Sequence, residues 1–334
     1  MADLQGAPVE DRTVIDVVNL ALPYFGLIFI GFVCGKVKKI PHSALAWMDF
    51  FILYVSLPAL FYRILAKTPV EQLAQLSFVA GTTLATALAF AMAFGIGLLF
   101  RPSHIREATI AALAGGYGNI GYMGPGLALA TLGPAAAVPV ALIFCFDSIF
   151  LFSAVPLLMA LAARSERGTL AIVFDVLRRI VLHPLLIASA LGVLSATLRF
   201  QPPVALDRLL EFLQVAAAPT ALFTLGVTVA LRPLERVPTE IPLLAVVKLV
   251  LHPIMVLVLL SLFGRFDPLW IYTAVLMAAL PPALNVYVFA RQYDVWLEEA
   301  SSAVLFGTAV SVVTLTAVMW LVKMQALPLR LFGP

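Results

Sequence analysis

The chain has 334 residues, of which only 12% are charged and 62% hydrophobic, and 21 Lys and Arg against 18 Asp and Glu leave a formal charge of +3. Soluble globular chains run at about 25% charged and about 45–50% apolar residues, so a water-exposed fold and a disordered chain are both excluded, and the small net charge gives no argument for nucleic acid. The apolar runs are long and apolar on every side, which excludes a transmembrane β-barrel with its alternating short segments and predicts an all-α polytopic membrane protein.

A helical span takes about 20 residues, and ten are predicted, over 14–35, 43–66, 75–100, 107–132, 135–163, 178–198, 204–231, 239–263, 268–293 and 297–323. The acidic N-terminal MADLQGAPVEDRT lacks the basic n-region and cleavage site of a signal peptide. Span one carries Pro23 and Cys34 and ends in KVKK; span two reads SLPALFYR, Ser56 to Arg63. Span four holds GGYGNIGYMGPG, Gly115 to Gly126, and span five holds Asp147 within VALIFCFDSIFLF, beside Cys145. The longest joint contains RSERGTL, and Thr169 to Arg179 fits a short amphipathic helix at the membrane surface. Span seven reads APTALFTLG, Ala218 to Gly226; span eight carries AVVKLVLHP around Lys248 and His252; span nine reads LPPALNVY, Leu280 to Tyr287.

Ten spans put both termini on one side. Placing them outside leaves twelve Lys and Arg on the inner joints, eight on the outer segments, and Lys248 within a span. That asymmetry, with KVKK and the four arginines around the central joint, predicts both termini outside.

The halves repeat. Pro58 aligns with Pro219 and Pro23 with Pro184 at one offset of 161, while Asn119 and Asn285 differ by 166. Five spans per half is odd, so the second half (178–323) is inverted relative to the first (14–163), with 164–177 as a short cytoplasmic linker.

Spans four and nine are predicted to break. Glycine costs a helix interior about 1 kcal/mol and proline about 3 kcal/mol, and span four has six glycines and Pro125 in twelve residues. Span nine breaks at Pro281–Pro282, which have no N–H to give. Broken backbone at membrane depth survives only beside a cavity, a ligand or other protein. Half-helix N-termini there favour an anion, and the opposing carbonyl ends suit a cation or proton donor. The candidate substrate-binding residues are Gly118, Asn119, Ile120, Gly121, Pro281, Pro282 and Asn285. The bland alternatives are a glycine face for close helix packing in span four and a simple proline kink in span nine.

Ionisable residues inside a span are functional candidates by default. Asp147 has no Lys or Arg near it in sequence, and either couples transport to a cation or proton or serves as a structural hydrogen-bond partner. Lys248 either joins that coupling or snorkels to the inner surface. His183 and His252, each in an LHP triplet, read as satisfied structural histidines, and Cys34 and Cys145 as buried small hydrophobes. No Cys/His spacing suggests a metal, and no cofactor is expected beyond a possible coupling sodium ion or proton.

These motifs resemble the auxin efflux carrier family of membrane transporters. LPPALNVYVFARQYDV, Leu280 to Val295, looks like the family's ninth helix; GNIGYMGPGLAL, Gly118 to Leu129, is similar to its fourth; YVSLPALFY, Tyr54 to Tyr62, resembles its second, and KLVLHP, Lys248 to Pro253, its eighth. The resemblance covers nearly the whole chain. It implies two inverted five-helix repeats with helices 4 and 9 crossing at their breaks. It also implies a scaffold of helices 1, 2, 6 and 7 that dimerises, a transport domain of helices 3–5 and 8–10, and an elevator-like shift carrying the substrate carboxylate against Asn119. Plant members often have a proline at each crossing, where this chain is aligned with Gly118 and Val286, and often a long central loop, where this one is short. Compact bacterial-type members are associated with malonate and malate.

The expected function is therefore a secondary-active or potential-driven transporter of a small organic anion, a carboxylate, in the cell membrane, that of a bacterium by the resemblance, with membrane lipid and a second copy as partners. The competing reading is a cation antiporter or bile-acid-type symporter on a related crossover fold. An enzyme is not expected: YD and GxGD do not occur together, GxSG and HExxH are absent, and there is no P-loop to drive transport with ATP.

Overall fold

The computed structural model describes residues 9–38, 41, 44–69, 75–162, 174, 177–178, 181–231, 237–329 and 331, with residues 9–18, 20 and 21 described in their backbone only. Nearly all of the 164–177 linker and of the surface helix expected over Thr169–Arg179 lies outside them, as do Arg167 and Arg179.

The described regular structure is helical. In order it comprises α1 (Val9–Lys38), α2 (Leu45–Phe51), α3 (Leu57–Ala66), α4 (Leu76–Phe100), α5 (Ile105–Gly116), α6 (Gly124–Leu132), α7 (Ala137–Ala162), α8 (Pro184–Thr197), α9 (Val204–Ala230), α10 (Glu240–Val246), α11 (His252–Phe263), α12 (Pro268–Ala278), α13 (Asn285–Tyr293) and α14 (Leu297–Lys323). Six continuous helical stretches are long and apolar enough to cross a membrane: Leu45–Ala66, Leu76–Phe100, Pro134–Ala162, Val204–Ala230, Glu240–Phe263 and Leu297–Lys323. The chain is a multi-pass membrane protein.

Two of these stretches contain a π-helical turn, at Ile52–Ser56 and Val247–Leu251. Each lies just before a proline in the first turn of the next helix, Pro58 and Pro253. A proline has no N–H for the carbonyl four residues back, here Tyr54 and Leu249, and the turn widens around the orphaned carbonyl.

Small residues set the closest approaches. The GxxxG pair Gly31 and Gly35 of α1 packs on α9, where Cβ atoms would run into Phe223 and Ala230, and Gly226 of α9 meets Ile28 in return. In the same way α8 lies along α3, Gly192 against the carbonyl of Tyr62. Around the other face α4 packs on α5 and α11, while α7 contacts α4, α5 and α12.

Arginines tie the helix ends. Arg63 of α3 makes two hydrogen bonds to Asp207 of α9, at 2.9 and 3.1 Å, and one to Gln214 at 2.8 Å. Arg101, after α4, bonds Glu107 at 2.9 Å, Glu240 at 3.3 Å, and Glu299, joining α4, α5, α10 and α14. Burial works against the Arg101 charge, but the bonds to Glu107 and Glu299 outweigh it and hold the guanidinium above the ordinary arginine range.

Spans four and nine both break, as their glycines and prolines predict. α5 stops at Gly116 and α6 starts at Gly124; α12 stops at Ala278 and α13 starts at Asn285. The two gaps lie against each other and close a minimal antiparallel bridge between Gly118 and Pro282. The N–H of Asn119 donates to the carbonyl of Pro281 at 2.8 Å, and that of Ala283 to the carbonyl of Tyr117 at 2.9 Å. Each break thus satisfies the other's freed backbone, as membrane depth requires. The residue of span nine at the crossing is Pro282, which corrects the alignment with Val286; Val286 already lies inside α13.

Candidate functional site at the helix crossover

The gap after α5 leaves the helix in an extended residue, Tyr117 at φ −95 and ψ 103, and then turns into α6, with the N–H groups of Met123 and Gly124 both donating to the carbonyl of Asn119. Tyr117, Asn119 and Gly121 face a small chamber with Asn285, Phe144, Phe152 and His183. Gly118 and Ile120 face the other way, onto a cavity of about 10 Å³ with Asp147, Thr86 and His252. The candidate residues therefore divide. Asn119, Gly121 and Asn285 share the front chamber and Gly118 and Ile120 the rear cavity, while Pro281 and Pro282 line neither. Pro281 is committed through its carbonyl to Asn119, and Pro282 is packed on Gly307, where a Cβ would lie 2.5 Å from its ring.

In the front chamber, Asn119 is 1% exposed and its Oδ1 has no hydrogen-bond partner. A buried amide oxygen without a partner is costly and calls for an explanation. Asn285 begins α13 and donates from Nδ2 to the Tyr117 hydroxyl at 3.1 Å. The chamber holds only about 20 Å³, room for about one water molecule. It borders a wider chamber of about 600 Å³ lined by Tyr54, Phe152, Arg178, His183, Asn285 and Gln292 among others. Phe152 stands between the two, packed on Tyr117 at 6.1 Å, His183 at 5.0 Å and Phe289 at 5.7 Å between ring centres.

Behind the crossover runs a chain of buried polar groups. Asp147 Oδ2 accepts from the Thr86 hydroxyl at 2.8 Å; Thr86 lies 3.2 Å from His252 Nε2; His252 Nδ1 lies 3.0 Å from Lys248 Nζ; and Nζ donates to the carbonyl of Ala278. Asp147 is 4% exposed, His252 4% and Lys248 fully buried. Lys248 therefore does not snorkel. The π-turn carries it inward, against Gly118, where a Cβ would meet Nζ at 3.1 Å. Its ammonium sits on the last turn of α12, where a helix presents its negative end. The carbonyl end expected to suit a cation is thus occupied by a side chain of the protein. Asp147 is not isolated either, although its Oδ1 has no partner.

His252 is a satisfied histidine, as expected, but His183 is not: its Nδ1 is buried without a partner. Cys34 and Cys145 are both free and partly buried. The glycines of span four serve packing as well as the break, since a Cβ at Gly124 would lie 2.7 Å from Met277 Sδ. Sequence reasoning missed Tyr117, Phe152 and Thr86. The first two were hidden among many aromatics, and a threonine in an apolar helix ordinarily bonds its own backbone.

On the far side of the crossover a third chamber of about 900 Å³ opens between Arg63, Lys67 and Gln214 of α3 and α9 and the Leu129–Val138 and Arg265–Trp270 stretches. Chambers on both sides of one buried polar crossing suit a solute that passes through. Among the described residues, no group of His, Cys, Asp and Glu is placed to hold a metal ion.

Comparison with known proteins gives the family. Residues 16–319 match the family described as "Membrane transport protein". The chain is 47% identical over 317 residues to a Rhizobium meliloti (strain 1021) protein named "Putative malonate transporter", covering 95% of this chain and 99% of that one. It is 27% identical over 173 residues to "Auxin efflux carrier component 8" of Arabidopsis thaliana, covering 50% and 47% of the two chains.

Proposed function

This chain belongs to the auxin efflux carrier family of membrane transport proteins, a transporter rather than an enzyme, and from that premise we propose that it moves a small carboxylate anion across the membrane, bound at the crossover of spans four and nine. The observation that carries the reading is Asn119: a buried side-chain amide whose Nδ2 can donate to an anion, where, among the described residues, two broken helices meet between opposed chambers; its unspent Oδ1 only accepts, and suits a water or the O–H of a half-protonated acid. Its amide, that of Asn285 and the Tyr117 hydroxyl are neutral groups suited to orient a carboxylate without trapping it. The similar protein named for malonate supports a small carboxylate as the class.

The transport path is alternating access. The ten spans form two inverted five-helix repeats, 14–163 and 178–323; the reciprocal packing of α1 on α9 and α8 on α3 supports this. Helices of spans 1, 2, 6 and 7 form a dimerising scaffold tied by Arg63, and the rest form a transport domain tied by Arg101, which slides in an elevator-like step. Both termini face outside, so the chamber at Arg178 opens to the cytoplasm of a bacterial cell. Asp147, with its free Oδ1, is where a proton or cation loads to offset the incoming charge. The competing cation antiporter is disfavoured by Lys248, whose ammonium already fills the carbonyl end at Ala278.

The test is a thermal-shift series on the purified protein with mono- and dicarboxylates, with and without sodium and across pH, followed by uptake in proteoliposomes. A ligand that binds the folded state raises its stability by mass action. Stabilisation by a carboxylate supports the reading; sodium or proton flux without any carboxylate effect contradicts it.

A further inference from the structure

We propose that the wide chamber carries a second anion subsite, built from Arg178 and His183, which takes the far carboxylate of a dicarboxylate whose near carboxylate lies at the crossover. The inference rests on the crossover reading and adds to it a selectivity device on a different helix.

Three observations converge. First, the front and wide chambers share walls: Leu53, Phe152, His183 and Asn285 line both, so a molecule held at Asn285 has its free end in the wide chamber. Second, Arg178 is the charged group among the described residues that line that chamber. The crossover offers neutral amides and a phenol, which suffice for one carboxylate. A second carboxylate at the edge of a low-dielectric site needs a cation of its own, and the guanidinium fork matches it in two parallel hydrogen bonds. Third, His183 borders both chambers with Nδ1 buried and unpartnered. It is also the N-cap of α8, a helix of 14 residues, and its side chain makes no capping bond. The positive end of that helix and its unspent N–H groups therefore lie at the same wall. Arg178 is exposed where it lines the chamber.

The consequence is discrimination by charge number. A monocarboxylate uses the crossover alone, whereas a dicarboxylate uses both subsites. The experiment measures affinities of malonate and succinate against acetate and propionate, on the full-length protein in detergent, for the parent, Arg178→Gln, Arg178→Lys, His183→Gln and Asn119→Ala. The parent is expected to favour dicarboxylates, and Arg178→Gln to weaken them at least tenfold while leaving the monocarboxylates unchanged, since a lost bond to a charged partner is worth about one to two decades. Arg178→Lys keeps the charge and recovers part of the loss, and His183→Gln gives a smaller loss of the same selectivity. The proposal is overturned if Arg178→Gln and His183→Gln bind dicarboxylates like the parent, or if Arg178→Gln loses both classes alike. Failure of the crossover reading looks different: Asn119→Ala then keeps parent affinity for both classes, whatever Arg178 does.

Discussion

Gly118 and Lys248 touch at the crossover: the absent Cβ of Gly118 leaves the space that the Lys248 side chain fills, with Nζ and Cε each 3.1 Å from where that Cβ would stand. The contact joins the front and rear of the site. The strand-like backbone that presents Asn119 to one chamber rests, through its neighbour, on the ammonium that caps α12 from behind.

Enlarging Gly118 therefore tests whether the two sides act together. Gly118→Ala needs a shift of only a few tenths of an ångström and is expected to cost little stability. Gly118→Val pushes Nζ from His252 and Ala278 and is expected to lower both the melting temperature and carboxylate affinity, as overpacking of a dense site does by about 1–3 kcal/mol. Equal behaviour of the two variants in melting and binding assays counts against the contact.

Lys248→Met removes the cation from a buried chain that also contains Asp147. Its loss leaves His252 Nδ1 and the carbonyl of Ala278 buried without the Lys248 partner, at about 1–3 kcal/mol for each unsatisfied group. The double variant Lys248→Met with Asp147→Asn is expected to be less damaged than Lys248→Met alone, with an interaction of about 0.5–3 kcal/mol in the cycle. Strict additivity in denaturation measurements means that the two residues do not sense each other.

Asp147→Asn separates coupling from structure. Asparagine retains a partner for Thr86 and cannot carry the charge. Substrate binding is expected to persist while its dependence on pH or sodium, and uphill accumulation in proteoliposomes, disappear. If that dependence remains and only stability falls, Asp147 is a structural hydrogen-bond partner; if the parent has none to lose, coupling is ruled out.

Arg101→Ala strands Glu107, Glu240 and Glu299 at one joint; Glu240 is 6% exposed. Loss of expression or melting temperature is expected, with partial rescue by adding Glu240→Gln, because the penalty is an unpaired buried charge rather than lost packing. Rescue by an exposed change such as Glu298→Gln instead speaks for bulk charge. Melting of the single and double variants decides between them.

Tyr24 of α1 donates to the carbonyl of Gly126 at 2.7 Å, a bond between the proposed scaffold and the transport domain. Tyr24→Phe is expected to leave folding intact and to change the transport rate more than the affinity, since sliding must break this bond. An unchanged rate in proteoliposome uptake shows that it does not hold the domains.

The sequence made the breaks legible because glycine and proline act locally: their cost to a helix needs no knowledge of neighbours. The matched asparagines were visible for the same reason, standing beside those breaks. The rear chain was not, because Thr86, Asp147, Lys248 and His252 come from three distant spans and meet only through packing. Lys248 shows why depth alone misleads. A lysine a third of the way into a span can still snorkel to the surface, but a π-turn before Pro253 faces this one inward. Pro282 rather than Val286 marks the crossing because the register follows the hydrogen bonds between the two gaps, which no single segment encodes. His183 read as a satisfied histidine because its LHP triplet matches that of His252, and only the chambers distinguish the two.

The central claim is that the crossover amide holds the transported anion. Its most direct measurement is isothermal titration of malonate into the purified protein and into Asn119→Ala. The reading expects saturable binding to the parent, and for the variant an affinity about tenfold to a hundredfold weaker with the melting temperature largely kept, from one lost bond to a charged group. Equal affinity in a folded Asn119→Ala variant would contradict it.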